Sequence, residues 1–270
     1  MEIIESQIIG KKSQETCEDG IVVTDNFIAV IDGSTSKTPV HISPDMKNGR
    51  YCMLLIKSFI ESMSADITME AFCEGITRGI RDIYQLYDIS LDDMEQHPEK
   101  RLAASAIIYS RFHNEIWMVG DCQCIVDGKL FTNDKPYEAR IAQKRVDYIL
   151  EHLTSATDKQ QLYDEGRQHI VADLIEAMQQ GQNKEYAVID GFPIYIEGMK
   201  KIEDIQQEFV LASDGYPFLC PTLSESEARL KEHLAIDPQN LTEFKATKGL
   251  VKGNRSFDDR AFIKVNLDNS

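Results

Sequence analysis

Apolar, β-branched runs in this chain come in neighbouring pairs joined by turns too short for a crossover, and that grammar commits it to antiparallel sheet. Residues 20–32, GIVVTDNFIAVID, are two such runs broken by Thr24-Asp25-Asn26, a hairpin whose second strand stops at Asp32-Gly33. Residues 103–132 carry three runs separated by His113-Asn114 and by Asp127-Gly128, and predict an antiparallel meander. Strand character returns in YAVID at 186–190, in the FPIYIEG that follows, in EFVLASDG at 208–215 and in AFIKVNL at 261–267.

Helical spacing fills the gaps. Met53, Ile56, Phe59, Ile60 and Met63 recur on one helix face, and after the capping candidate Thr68 so do Phe72, Ile76, Ile80, Ile83 and Tyr87. The stretch from about 138 to 180 is helical and polar, with Val171, Leu174, Ile175 and Met178 as its apolar stripe. A last helix runs from about Ser224 to Leu234 and opens with Ser224-Glu225-Ser226-Glu227, which reads as a capping box. Antiparallel strands with helices between them predict an α+β layered sandwich, two antiparallel sheets with helices on the outer faces, in one domain over 1–270. Val-Ile-Asp-Gly occurs at 30–33 and again at 188–191, and the second copy reads as ordinary turn grammar.

A chain of 270 residues is long enough to bury a large core. Its 29 Lys and Arg against 45 Asp and Glu leave a net charge of −16, a field that repels phosphate backbones and anionic lipid, so neither nucleic acid nor a membrane is an expected partner. The start, MEIIESQIIGKKSQE, lacks the apolar core of a secretory signal, and a cytoplasmic location is expected. Six cysteines without a CxxC pair fit reduced thiols, with Cys122 and Cys124 on one side of a strand.

Acidic residues stand where β-runs stop: Asp32 in IAVIDG, Asp121 in WMVGDC, Asp214 in VLASDG, and Asp258-Asp259 before AFIKV. Carboxylates gathered at strand ends repel one another, and a hard divalent cation such as Mg²⁺ or Mn²⁺ is the usual way to hold them together. Glycines after Asp32 and Asp214 allow backbone to approach an ion closely.

These segments carry a resemblance that spans most of the chain in order. Glu18-Asp19, Asp32-Gly33, Val119-Gly120-Asp121, Leu211-Ala212-Ser213-Asp214-Gly215 and Ser256-Phe257-Asp258-Asp259 resemble the motifs of the PP2C-type (PPM) metal-dependent serine/threonine phosphatases. The resemblance implies a PP2C-like α-β-β-α sandwich with two Mn²⁺ or Mg²⁺ ions at one end. It implies that Asp32 bridges the ions, that Gly33 offers its carbonyl, that Asp214 and Asp258 complete one ion, and that Glu18 and Asp19 hold the other directly or through water. The implied activity is hydrolysis of phosphoserine or phosphothreonine in a phosphoprotein by a metal-bridging hydroxide, with Asp32 and Asp214 as the catalytic pair.

The departures from that pattern are specific. The family's Arg ahead of Glu-Asp is absent; Lys11 and Lys12 stand there, and Lys12 is the candidate for the substrate phosphate, a point charge without a guanidinium fork. After Asp32-Gly33 comes Ser34-Thr35-Ser36-Lys37 in place of His or Met and glycines, leaving His41 as the nearest histidine. Asp259 replaces the usual Asn, Phe218 stands where relatives can carry a further Asp, and the flap is replaced or enlarged by the 138–180 segment. Ser34-x-x-Lys37 also fits the pattern of serine acyl enzymes, without its S-D-N and K-T-G companions. The competing reading of the whole chain is a PP2C-like pseudophosphatase that binds a partner or phosphoprotein without turnover.

Overall fold

In a computed structural model, which describes residues 1–152 and 164–267, ten strands form two five-stranded antiparallel sheets. One sheet orders β2 (Asp19–Val23), β3 (Phe27–Gly33), β4 (Ala104–Ser110), β5 (Glu115–Val119) and β8 (Lys200–Glu203). The other orders β1 (Glu2–Ile9), β10 (Arg260–Asn266), β9 (Glu208–Ala212), β6 (Gln123–Val126) and β7 (Lys129–Phe131). The layered order expected from the sequence is therefore the order found.

Strand alternation decides what each face buries. On β3, Ile28 and Val30 point between the sheets, where they meet Ile107, Met118, Cys122, Cys124, Leu211 and Ile263. The alternate residues Phe27, Ala29 and Ile31 point outward, onto α1 (Asn48–Ser62) and α2 (Met69–Leu86). Trp117, Phe72 and Phe27 are fully buried there, each contributing roughly 1.5–3 kcal/mol over exposure. Thr68 caps α2 by accepting from the Ala71 N–H at 3.2 Å. Across the sandwich, Val210, Ala212 and Phe262 face outward onto Tyr216 and the Leu223 end of α7 (Leu223–Ile236). Among the described residues no helix is long and apolar enough to cross a membrane.

Several expectations need correction. The 103–132 stretch is not one meander: β4 and β5 lie in one sheet, β6 and β7 in the other, and the chain changes sheet at Gly120. Gly120 has φ +83°, and a Cβ there would collide with Ser105, so the crossing needs glycine. YAVID makes isolated bridges, Ile189 to Ala104 and Tyr186 to Gln182, and FPIYIEG ends in a 3₁₀ turn at Ile196–Gly198, while the edge strand is β8. The α7 box is built two residues earlier, with Thr222 Oγ1 accepting from Glu225 N at 3.2 Å and donating to Glu225 Oε2 at 2.7 Å. Strand β1 and the short α3 (Leu91–Gln96) have no counterpart in the sequence reading.

The helical segment expected at 138–180 comprises α4 (Glu138–His152), α5 (Glu165–His169) and α6 (Val171–Gly181); its 153–163 stretch lies outside the described residues. Ile141, Ile170, Leu174 and Ala177 give it a small core of its own. Arg145, fully buried, pairs with Asp164 inside the segment at 2.9 Å and pins the segment to the loop before β10 by donating to the Gln239 carbonyl at 2.7 Å.

Candidate metal and phosphate site

Register brings the acidic residues to one end of the sandwich. Asp19 on β2 lies opposite Asp32 on β3, which lies opposite Ser105 on β4. Asp32 shares its strand face with Ile28 and Val30, so it stands where the gap between the sheets opens. From the facing sheet, β9 runs into Ser213-Asp214, and Asp258-Asp259 lead into β10. Those two ends are locked together, since Ser213 N donates to the Ala261 carbonyl at 3.1 Å and Ala261 N donates to Ser213 Oγ at 2.9 Å.

Glycine makes the cradle. Gly33 N donates to the Glu18 carbonyl at 3.0 Å, and a Cβ on Gly33 would run into the carbonyls of Gly49 and Glu18. A Cβ on Gly49 would press against Glu18 Oε1, and one on Gly215 against the Asp259 carbonyl.

The carboxylates here lack enough counter-charge. Burial, reinforced by Asp214, Asp19 and Asp121, pushes the Asp32 pKa well above the carboxylate range. Burial pushes Asp19 to about 8, with Asp259 and Asp214 adding to the shift against a hydrogen bond from Ser213. Glu18 Oε1 and Asp19 Oδ2 are buried without a hydrogen-bond partner among the described residues, a costly state for carboxylate oxygens. An all-oxygen donor set with two orphaned oxygens fits a hard divalent cation. Among the described residues no group of three or more His, Cys, Asp or Glu side chains already stands close enough to hold a metal, so an ion would have to draw them inward.

Lysines occupy the other flank. Lys11 N donates to Asp259 Oδ1 at 2.6 Å, which turns the Lys11 side chain into the site. Its Nζ lies 3.0 Å from Asp258 Oδ1, 3.4 Å from Asp259 Oδ2 and 3.6 Å from Glu18 Oε2, and it donates to Thr35 Oγ1 at 3.1 Å. Burial lowers its pKa, but Asp259 and Glu18 more than offset that, so Lys11 stays charged. Lys248 forms a second ion pair with Asp258. Lys12, the expected phosphate contact, is exposed: with the Lys11 backbone tied to Asp259, its neighbour faces solvent. His41 is exposed as well.

Asp121 has both oxygens taken, by Ser105 Oγ and Lys135 Nζ, each at 2.5 Å. Burial would raise its pKa, but the Lys135 ammonium prevails and holds it at about 2. Ser34 and Lys37 do meet, with Lys37 Nζ donating to Ser34 Oγ at 3.0 Å and to the Thr35 carbonyl at 2.7 Å. Phe218 packs edge-on against His233 and Phe244.

Asp32, Gly33 and Asp214 line a cavity of about 60 Å³ whose wall also holds Lys37, Lys135, Arg167 and Lys248. A larger hollow of about 360 Å³, walled partly by Tyr216, Phe244 and Phe257, shares Asp121, Asp214, Lys135 and Lys248 with it. Lys135, Arg167 and Lys248 were not singled out in the sequence: they belong to no motif and reach the site only through the packing of the helical segment and the loop before β10. Glu138, raised to about 7 by burial and by Asp121, joins them for the same reason.

No family model matches the chain, and no curated protein does. Among solved structures it is similar to the serine/threonine phosphatase PstP/Ppp of Mycobacterium tuberculosis, at 15% identity over 98% of each chain with a TM-score of 0.45. It is also similar to the PPM Ser-Thr phosphatase MsPP of Mycobacterium smegmatis, solved with cacodylate, at 14% identity over 99% of this chain and 100% of that one with a TM-score of 0.46. RsbX, solved with magnesium, matches at 12% identity over 99% of each chain with a TM-score of 0.46. The chain differs from these neighbours at most positions, so its own site residues decide what it can do.

Proposed function

We propose that the chain is a metal-dependent phosphoprotein phosphatase of the type its motifs resemble, acting on phosphoserine or phosphothreonine. The observation that carries this reading is the pair of orphaned, buried oxygens, Glu18 Oε1 and Asp19 Oδ2, beside Asp32 at the mouth of a cavity. A binding scaffold gains nothing from desolvated carboxylates without a counter-ion, whereas a divalent-ion site requires them. Glu18, Asp19, Asp32, the Gly33 carbonyl, Asp214 and Asp258 are the residues that would hold two Mn²⁺ or Mg²⁺ ions. Bound there, the ions supply acidification of water and neutralisation of the charge that develops on phosphate oxygens.

The chain's own groups do the rest. Asp32 and Asp214 face the same cavity from opposite sheets, so a phosphoryl group between them meets both. The shared wall of the larger hollow gives a substrate chain room beside it. A second reading, a phosphoprotein-binding protein without turnover, is favoured by one observation: Asp258 is already paired with both Lys11 and Lys248.

Hydrolysis of p-nitrophenyl phosphate and of a phosphothreonine peptide in Mn²⁺ separates the two. The phosphatase reading expects metal-dependent turnover that falls by about 100-fold or more in Asp214→Ala. A folded protein that binds Mn²⁺ and turns over neither substrate overturns it in favour of the second.

A further inference from the structure

Among the described residues, four cationic side chains line the cavity beside Asp32 and Asp214, and they come from four separate places in the chain. Lys37 sits in the loop after β3, Lys135 before α4, Arg167 in α5 and Lys248 in the loop before β10. Two are already neutralised, Lys135 by Asp121 and Lys248 by Asp258. The other two are not. Among the described residues, Lys37 donates to Ser34 Oγ and the Thr35 carbonyl, and Arg167 Nη1 donates to the Thr247 carbonyl at 3.1 Å. Asp164, the N-cap of Arg167's helix, is paired with Arg145, and Glu165 in the first turn of that helix makes no ion pair with Arg167. Among the described residues, neither Lys37 nor Arg167 has a carboxylate within ion-pair distance.

Lys37 and Arg167 are half-buried, and positive groups held partly out of water without a counter-charge are unfavourable unless an anion completes them. The strain is visible at Lys37, where burial together with Arg167, Lys135 and Lys248 lowers the pKa to about 7. An ammonium and a planar guanidinium on one small cavity match a tetrahedral oxyanion, the guanidinium supplying paired donors and the ammonium a point charge.

We infer that Lys37 and Arg167 form the binding site for the phosphoryl group of a phosphate monoester, doing in this chain what neither Lys11 nor Lys12 is placed to do. Lys11 is consumed by Asp258, Asp259 and Glu18, and Lys12 is exposed. The inference rests on the phosphatase reading for its choice of ligand, but the anion site it describes can be measured without turnover. Because Arg167 belongs to the helical segment, that segment supplies part of the site and is more than a cover over the core.

Inorganic phosphate, the product of the proposed reaction, is the probe. Its binding to the full chain is followed by calorimetry, once in excess Mg²⁺ and once in chelator, for wild type, Lys37→Met, Arg167→Gln and Arg167→Lys, with exposed Lys231→Ala on α7 as a surface-charge control. The expected result is saturable phosphate binding in wild type and in Lys231→Ala, weakened about tenfold or more in Lys37→Met and in Arg167→Gln, as for loss of a charge-assisted hydrogen bond. Arg167→Lys, which keeps the charge and loses the fork, falls between. Thermal unfolding of each variant shows whether weakened binding reflects the site or the fold, and Arg167→Lys remains informative if Arg167→Gln is unfolded. No phosphate binding by wild type, or equal binding by wild type and both charge-removing variants, overturns the inference. Phosphate binding that depends on Lys37 and Arg167 in a protein without hydrolytic activity sinks the phosphatase reading and leaves the anion site standing.

Discussion

Asp32 and Asp190 hold the same place in the repeated Val-Ile-Asp-Gly string, and their surroundings give them opposite work. Asp190 is fully buried with its oxygens satisfied by Arg101 at 2.7 Å, Gln182 at 2.8 Å, Asn183 at 3.0 Å and the Phe192 N–H at 2.9 Å. Arg101 is itself buried and stacks over Phe192 at 3.8 Å, so removing the acid would strand a buried guanidinium. Asp190→Ala is therefore expected to cost about 3–5 kcal/mol in urea unfolding. Asp32 is the reverse case, pressed by Asp214, Asp19 and Asp121. Replacing it with a neutral isostere removes that repulsion, so Asp32→Asn should raise the unfolding midpoint of the metal-free protein while abolishing metal-dependent hydrolysis. A midpoint in chelator at or below that of wild type would show that the carboxylate is compensated after all.

At the scale of elements, Glu227 of α7 ties three pieces of the second sheet's outer layer together. It accepts a fork from Arg260 on β10 at 2.7 and 2.8 Å, the Tyr216 hydroxyl at 2.7 Å and Gln7 of β1 at 3.2 Å. Burial works against its ionisation, but these donors prevail and its pKa is lowered. A group whose folded pKa is depressed contributes stability above its unfolded value, near 4.3, and loses it as pH falls through the folded value. Glu227→Gln should thus cost about 1–2 kcal/mol at pH 7 and little once wild type has been taken well below pH 4. An equal cost at pH 3 and pH 7 would show that the ionised form is not what matters. Much of this architecture was legible locally: the β2–β3 hairpin, α1 and α2 are written in turn residues and side-chain periods within a few positions of one another. The assignment of β6 was not, because a β-run looks the same whichever sheet it joins, and only Gly120 marks the change. YAVID reads as a strand by composition, yet the Val188 backbone bonds to the Asn183 side chain and the Phe192 N–H to Asp190 Oδ1 in place of a continuous ladder. Within the site, Asp32 and Asp214 could be found because strand ends are local, whereas Arg167 and Lys248 acquire their place only from tertiary packing.

For the whole molecule, a net charge of −16 complicates the simplest evidence for a metal site. Any salt relieves the self-repulsion of so acidic a chain and raises its melting temperature, and a divalent salt does so more strongly at equal concentration. Specific binding adds a different quantity, RT ln(1 + [L]/Kd), which reaches about 2.7 kcal/mol at a hundredfold excess over Kd and corresponds to roughly 5–10 °C for a chain of this size. The two contributions separate on ionic strength and on mutation. Mn²⁺ should raise the wild-type Tm well beyond NaCl of matched ionic strength. In Asp214→Ala, which removes one negative charge out of many and one ligand out of few, the NaCl response should persist while the excess due to Mn²⁺ shrinks. If wild type responds to Mn²⁺ only as it does to matched NaCl, the acidic cluster at the end of the sandwich is neutralised from within, by Lys11 and Lys248, and holds no ion.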